Sequence, residues 1–332
     1  MKKFEPVIVG FVCNECVYAA ADLAGTTRLS YPPNIRLIRV PCSGQVDIIH
    51  ILRAFENGAD GVFVGGCLPE QCHYVDGNIK AEKRVEFLKK ALMALGLEEE
   101  RLSIHLLSAA MGIEFANFAG EFTNTIKKLG PNPLKNQKSL SLHSNHKRMI
   151  MRDLLLSISD AFGKEGVKFQ AVFPGFGEAI LDENKCIGCG ACSYVCKDEA
   201  MTTAIENDVI LINNTYWKCT ACGRCQEICP KDCMEIREEF DLKRFLKGEV
   251  DQKAEVGMLA CERCNKPFLP LMMAADIEKI LTDKAQSTDF VGLCPTCKKF
   301  HQAEKVRAIS GFGGNLKGIE ALKKVSKQKG RA

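Results

Sequence analysis

Eight cysteines between residues 186 and 229 fall in two runs of matching spacing. The runs read Cys186-x2-Cys189-x2-Cys192-x3-Cys196 and Cys219-x2-Cys222-x2-Cys225-x3-Cys229, the second followed by Pro230. Three thiolates at this spacing wrap one face of an iron–sulfur cube, so each run is typical of a [4Fe–4S] site. A pair of zinc ribbons is the alternative, but each would need two separated C-x2-C pairs. The runs therefore predict two [4Fe–4S] clusters and one-electron chemistry.

The fourth cysteine of each run lies too far along the chain to close the same cube. In two-cluster ferredoxins it binds the other cluster. Applied to this chain, the first cluster takes Cys186, Cys189, Cys192 and Cys229, and the second takes Cys219, Cys222, Cys225 and Cys196. Cys233, four residues after Cys229, is interpreted as a buried core residue and not as a ligand.

The elements around these cysteines follow from the apolar pattern. In residues 1–131, buried strands are predicted at 6–12, 35–41, 61–66 and 102–107, and helices at 14–26, 46–57, 79–95 and 110–129. This alternation predicts an α/β domain with a doubly wound, parallel, flavodoxin-like or Rossmann-like sheet. A linker with a helix at 149–162 occupies 132–175, and an α+β dicluster domain occupies 176–240.

Five further cysteines lie near the ends of the predicted strands: Cys13, Cys16, Cys42, Cys67 and Cys72. The carboxyl ends of parallel strands converge on one crevice, so these thiols are expected to meet. A single buried cysteine at a strand end is commonly packing. Five at one edge predict a metal or a small iron–sulfur centre.

Four segments carry a resemblance to a known family: CNECVYAAADLAG, YPPNIRLIRVPCSG, AFENGADGVFVGGCLPEQCHY and GNIKAEKR. They closely resemble the delta-subunit family of methyl-viologen-reducing hydrogenase, over almost all of residues 6–131. That family works with heterodisulfide reductase and related complexes. The resemblance implies a [2Fe–2S] cluster held by four of the five cysteines. Cys13 with Cys16 and Cys67 with Cys72 form natural short-range pairs, which leaves Cys42 as a candidate spare. The resemblance also implies electron exchange with a flavin-containing, electron-bifurcating partner.

Two C-x2-C pairs lie in the predicted C-terminal unit, residues 241–332. They are Cys261/Cys264 and Cys294/Cys297, with a helix predicted at 271–284 between them. This layout predicts a small knuckle around one structural zinc, with a rubredoxin-type iron as the alternative. Few aromatic residues lie nearby, which favours zinc. CERCNKPF followed by LCPTCKK is also similar to the tail of ferredoxin-type subunits in formate hydrogenlyase-like complexes.

Composition narrows the class of protein. The chain has 332 residues, 46% of them apolar and 26% charged, with a net charge of +4. These ordinary values give no case for a nucleic acid partner, and no stretch approaches the length of a membrane span. Eighteen cysteines in metal-type clusters indicate the reducing cytoplasm of an anaerobe and not a secreted disulfide scaffold.

The sequence thus predicts an electron-transfer subunit, non-catalytic by itself, in a cytoplasmic hetero-oligomeric oxidoreductase. It would relay electrons between a hydrogenase or formate dehydrogenase-type partner and a heterodisulfide reductase-like flavoprotein. An iron–sulfur redox sensor is one alternative, although no nucleic-acid-binding motif is found. An enzyme that uses a free thiol in the N-terminal sheet is another.

Overall fold

The N-terminal part of the chain folds into alternating strands and helices. The computed structural model describes residues 4–136, 146–164 and 167–310. The first elements are β1 (Ile8–Cys13), α1 (Ala19–Thr26), β2 (Ile35–Val40), α2 (Ile48–Glu56), β3 (Gly61–Gly66), α3 (Gly77–Leu95), β4 (Leu102–Leu106) and α4 (Gly112–Leu129). A π-helical turn at Asn14–Tyr18 joins β1 to α1.

These four strands form one parallel sheet in the order β2-β1-β3-β4. Ile8 of β1 lies opposite Ile35 of β2 on one side and Gly61 of β3 on the other. The predicted parallel sheet of the N-terminal region is confirmed, and its strands lie within two residues of the predicted positions. All four carboxyl ends lie at the same edge.

Helices cover both faces of this sheet because its central strands are apolar on both sides. Phe11 and Val64 pack with residues of α2 and α3 in one buried cluster. Val12 and Phe63, the neighbours of those residues in sequence, pack with α1 and α4 in the other. Alternate side chains of a strand point to opposite faces, which explains the division.

The next elements attach the cysteine-rich region to this domain. They are α5 (Lys147–Ala161), β5 (Gln170–Ala171), β6 (Glu178–Leu181), α6 (Ala191–Val195), β7 (Met201–Glu206), β8 (Val209–Thr215), α7 (Arg224–Glu227), β9 (Met234–Arg237), β10 (Phe240–Asp241) and α8 (Leu242–Lys247). Helix α5 packs on α2. Phe87 of α3 stacks on Phe173 with ring centroids 4.2 Å apart and meets Phe240 edge-on at 4.9 Å. A continuous buried core therefore joins the two regions.

The C-terminal elements extend the sheet of the cysteine-rich region. They are β11 (Val250–Ala260), β12 (Pro267–Pro270), α9 (Leu271–Asp283) and α10 (Pro295–Ser310). Strand β11 pairs antiparallel with β8, which gives a sheet in the order β12-β11-β8-β7. The sheet thus spans the predicted boundary between residues 240 and 241, which itself falls within β10. Within the described ranges, every helix is too short or too polar to cross a lipid bilayer.

Candidate metal centres

The eight cysteines of the two runs line two separate cavities. Cys186, Cys189, Cys192 and Cys229 line the first. Cys196, Cys219, Cys222 and Cys225 line the second. Cys229 therefore lies with the thiols of the first run, and Cys196 with those of the second. This is the grouping that the exchanged-ligand rule predicts.

Left-handed backbone turns fold each run around its cavity. Gly188 and Gly190 in the first run have φ values of +70° and +72°. Ala221 and Gly223 take the same places in the second run, with φ of 52° and 79°. Glycine adopts this region without strain, whereas alanine does so at a cost. The reversals let three cysteines of a short loop face the same space.

Burial raises the pKa of four of these thiols, which makes them poor anions unless a cation is present: Cys186, Cys192, Cys219 and Cys225. Burial raises the pKa of Cys192 to about 12 and that of Cys225 to about 11, with neighbouring cysteines adding to the rise. Thiolate is the form that binds metal. Cys196 Sγ already accepts hydrogen bonds from the N–H groups of Ala200 (3.2 Å) and Met201 (3.4 Å). Positively charged iron would supply the remaining stabilisation, so the donor set fits iron–sulfur clusters.

Cys233 also lines the first cavity. It is buried, as the core interpretation requires, and packs with Ala179 and Met234. Its Sγ lies 3.3 Å from Cys229 Sγ, and its N–H lies 3.5 Å from the same sulfur. The first cavity thus holds a fifth thiol, beside Cys229, the predicted ligand that comes from the second run.

Three of the five N-terminal cysteines lie together at the carboxyl edge of the parallel sheet. Cys13 ends β1, Cys16 lies in the π-helical turn, and Cys67 directly follows β3. Their sulfurs lie within 4.8 Å of one another, with Cys13 and Cys67 3.9 Å apart. Burial and the neighbouring Cys67 raise the pKa of Cys13 to about 11. Burial also raises the pKa of Cys16, so a cationic group is again needed to hold Cys13 and Cys16 as thiolates.

The other two thiols lie beside Gly77, at the start of α3. A β-carbon added to Gly77 would overlap Cys42 Sγ and lie 3.3 Å from Cys72 Sγ. The N–H groups of Tyr74, Asn78 and Gly77 outweigh the effect of burial and lower the pKa of Cys72. The structure therefore groups Cys72 with Cys42 and Cys67 with Cys13, whereas the sequence grouped Cys67 with Cys72.

Two polar side chains of α3 fix the loops that carry these thiols. Asn78 Nδ2 donates to the carbonyl of Cys67 at 3.1 Å and to that of Leu68 at 2.9 Å. Arg84 Nη1 donates to the carbonyl of Gly44, two residues after Cys42, at 2.6 Å. Sequence reasoning missed both roles, although GNIKAEKR, which contains both residues, marked the segment.

The four C-terminal cysteines converge on one point between β11, β12 and α10. Cys261, Cys264, Cys294 and Cys297 have all their sulfurs within 4.8 Å of one another. Cys264 Sγ lies 3.7 Å from Cys294 Sγ, and a tetrahedral zinc with Zn–S bonds of about 2.3 Å places its sulfurs about 3.8 Å apart. Although burial opposes it, hydrogen bonds from backbone N–H groups, Cys294 first, lower the pKa of Cys261 to about 6. The set fits a single four-thiolate metal ion.

Comparison with known families matches two segments of the chain. The family model described as methyl-viologen-reducing hydrogenase, delta subunit, matches residues 8–130. The model of the 4Fe-4S dicluster domain matches residues 178–230. The first match contains the five thiols at the sheet edge, and the second contains all eight cysteines of the two runs.

Individual relatives match the N-terminal region. The vhu iron-sulfur subunit of the F420-non-reducing hydrogenase of Methanococcus maripaludis is 52% identical over 131 residues, which cover 40% of this chain and 98% of that protein. The iron-sulfur subunit of the F420-non-reducing hydrogenase of Archaeoglobus profundus is 50% identical over 130 residues, 39% of this chain and 95% of that protein. One subunit of the ferredoxin/F(420)H(2)-dependent CoB-CoM heterodisulfide reductase of Methanosarcina acetivorans is 46% identical over 126 residues, 38% of this chain but 16% of that protein.

Proposed function

The chain belongs to the methyl-viologen-reducing hydrogenase delta-subunit family, and we propose that it is an electron-transfer subunit of a cytoplasmic, anaerobic oxidoreductase complex. Its relatives include iron–sulfur subunits of hydrogenases and a subunit of a heterodisulfide reductase, which supports an electron-transfer role. It would relay electrons between a hydrogenase or formate dehydrogenase-type partner and a heterodisulfide reductase-like, electron-bifurcating flavoprotein.

The observation that carries this proposal is the pair of cavities, each lined by four cysteines of the matched dicluster segment. When bound, two [4Fe–4S] clusters supply one-electron transfer. The chain surrounds each site with apolar side chains, such as Ile187 in the first cavity and Ile236 in the second. Burial of this kind limits solvent access, which is one way a protein sets a cluster's potential.

The N-terminal thiols would hold a [2Fe–2S] cluster. Cys13, Cys16 and Cys67 supply three thiolates from one compact group. Cys42 or Cys72, the pair beside Gly77, would supply the fourth. The hydrogen bonds from α3 to the surrounding loops hold both groups at the sheet edge.

The C-terminal cysteines would hold one structural zinc. Zinc is favoured over a rubredoxin-type iron on the residues nearby, and the thiolate geometry suits either ion. Because β11 joins this unit to the dicluster sheet, the metal would fix one end of that sheet and present a surface for a partner protein.

The partners are proposed from the relatives and from the resemblance. Two relatives belong to hydrogenases, and a third carries the matching segment within a much longer heterodisulfide reductase polypeptide. In that third protein the segment and the rest of the reductase component form one chain. We therefore expect the present chain to bind a separate component of that type.

Anaerobic purification of the tagged chain from its native cells tests the proposal. Co-purification with a flavin-containing protein, and reduction of that flavin when electrons enter through reduced methyl viologen, is the expected result. The matched control is the same preparation from cells expressing a Cys189→Ala/Cys222→Ala variant, which lacks one predicted ligand in each cavity. A chain that purifies alone and binds promoter DNA, or that turns over a substrate by itself, would contradict the proposal.

A further inference from the structure

The N-terminal end of α5 contacts one carboxylate of the N-terminal domain and one carboxylate of the second cavity. Lys147 Nζ lies 3.6 Å from a carboxylate oxygen of Asp47, five residues after Cys42. His146 Nε2 lies 4.0 Å from Asp198, and Asp198 lines the second cavity. Consecutive residues of one helix end therefore touch the surroundings of both predicted clusters.

Arg148, the next residue, makes no ion pair with a carboxylate within the described ranges, and the groups whose charge acts on it include Cys219 and Asp198, which line the second cavity. Its guanidinium stacks over the ring of Phe176, 4.1 Å from the centroid, and donates to the carbonyl of Gly175. Its Nη1 is buried and has no hydrogen-bond partner among the described residues. Desolvation lowers its pKa, while Cys219 and then Asp198 favour its charged form. Arginine remains protonated in proteins, so this position carries a fixed positive charge.

Local helix preferences do not explain this charge. Lys147 and Arg148 begin α5, where the positive end of the helix dipole favours acidic residues. The contacts that Arg148 makes lie outside the helix, with the ring of Phe176 and the carbonyl of Gly175. Cys219, a predicted ligand of the second cluster, is the first group whose negative form would favour the arginine.

The other cations near the two cavities differ from Arg148. Lys231 lines the first cavity but forms an ion pair with Asp276 at 2.5 Å. Near the second cavity, Lys218 lies 3.8 Å from Glu199, and both Lys197 and Arg224 are exposed. Solvent screens exposed charges much more than buried ones.

One negative group opposes Arg148 at the second cavity. Asp198 accepts a hydrogen bond from Thr220 at 3.0 Å. Removing the charge of Arg148 would therefore leave this carboxylate less compensated. The loss of the arginine's positive charge and the less compensated carboxylate of Asp198 would both stabilise the oxidised, less negative form of the second cluster.

We propose that Arg148 raises the reduction potential of the second cluster relative to the first. Nearby charge is one of the protein's means of setting that potential. The inference rests on the proposed function, since it requires a [4Fe–4S] cluster in each cavity. Electrons in the dicluster module would then reside preferentially on the cluster whose loops contact α5 and, through α5, the N-terminal domain. The first cavity instead contacts the C-terminal unit through Lys231.

Redox titration of the anaerobic protein, followed by EPR, tests this role. In Arg148→Gln we expect the equilibrium constant for reducing the second cluster to fall about tenfold, a shift of about 59 mV for one electron. The first cluster should change much less. Lys147→Gln is the matched control because it removes the same charge from the adjacent, exposed position, and Arg148→Lys keeps the charge. Both should stay close to the unmutated protein.

Three results would overturn the role of Arg148. One is an unchanged second cluster in Arg148→Gln, and another is an equal shift in Lys147→Gln. The third is loss of the second cluster in Arg148→Gln with retention in Arg148→Lys, which would make the charge a requirement for assembly. Absence of a second-run [4Fe–4S] signal from the unmutated protein would instead contradict the proposed function.

Discussion

Replacing Cys229 tests whether the two cysteine runs exchange their fourth ligands. Cys229 belongs to the second run, yet its side chain lines the cavity of the first. Cys233 Sγ lies 3.3 Å from Cys229 Sγ and faces the same cavity, so it could replace the missing ligand. The informative variant is therefore Cys229→Ala combined with Cys233→Ala.

The expected magnitude follows from the ligand count. The unmutated protein should carry about ten irons, four in each cubane and two in the [2Fe–2S] cluster. In the double variant three thiolates remain in the first cavity, Cys186, Cys189 and Cys192. The iron at the fourth corner then has no protein ligand. We expect the loss of at least one iron, and of about four if the cluster does not survive.

Iron analysis and EPR of anaerobic protein provide the assay. The signal of the first cluster should disappear or convert to that of a three-iron cluster, while the second cluster keeps all four of its ligands. Cys233→Ala alone is the matched control and should retain about ten irons. Damage confined to the second cluster, or no damage to either, would refute the exchange.

Three further variants address the other parts of the chain. Gly77→Ala places a β-carbon against Cys42 Sγ, so metal analysis should show the loss of about two irons with the cubanes intact; Gly120→Ala, with no atom within 4 Å of the added carbon, should lose none. Cys264→Ser should remove about one zinc per chain and leave iron unchanged, and loss of iron instead would favour a rubredoxin-type site. Phe87→Ala removes a buried ring that stacks on Phe173, so it should lower the free energy of unfolding by about 3–5 kcal/mol, measured as a reduced urea midpoint. Phe87→Leu should lower the midpoint less. Equal midpoints for Phe87→Ala and the unmutated protein would contradict the packing argument.

The N-terminal fold was predictable because its elements are determined locally. Apolar runs bounded by polar residues and glycines placed the four strands. Helices α3 and α4 end directly before Gly96 and Gly130, at the predicted residues 95 and 129. The parallel sheet then placed cysteines from three strand ends at one edge without any knowledge of their contacts. The regular spacing of the two cysteine runs likewise predicted which cysteines would lie together around each cavity.

Contacts between residues distant in sequence were not predictable. Nothing in the pattern around Cys42 indicated that it would lie beside Gly77, because a loop and a helix start 35 residues apart must meet through the whole fold. The same holds for Arg84, which donates to the Gly44 carbonyl, and for the pairing of β11 with β8. The sequence did not distinguish Arg148 either, which directly precedes the helix predicted at 149–162.

A reductive titration of the anaerobically purified chain measures whether it carries the three clusters of an electron relay. If the chain is a relay with two [4Fe–4S] clusters and one [2Fe–2S] cluster, it should take up about three electrons, one for each cluster, with three distinguishable EPR signals. Uptake of about two electrons, with EPR signals from the two [4Fe–4S] clusters alone, would show that the N-terminal cluster is absent. A chain that takes up no electrons, with zinc in place of iron in the two cavities, would contradict the account.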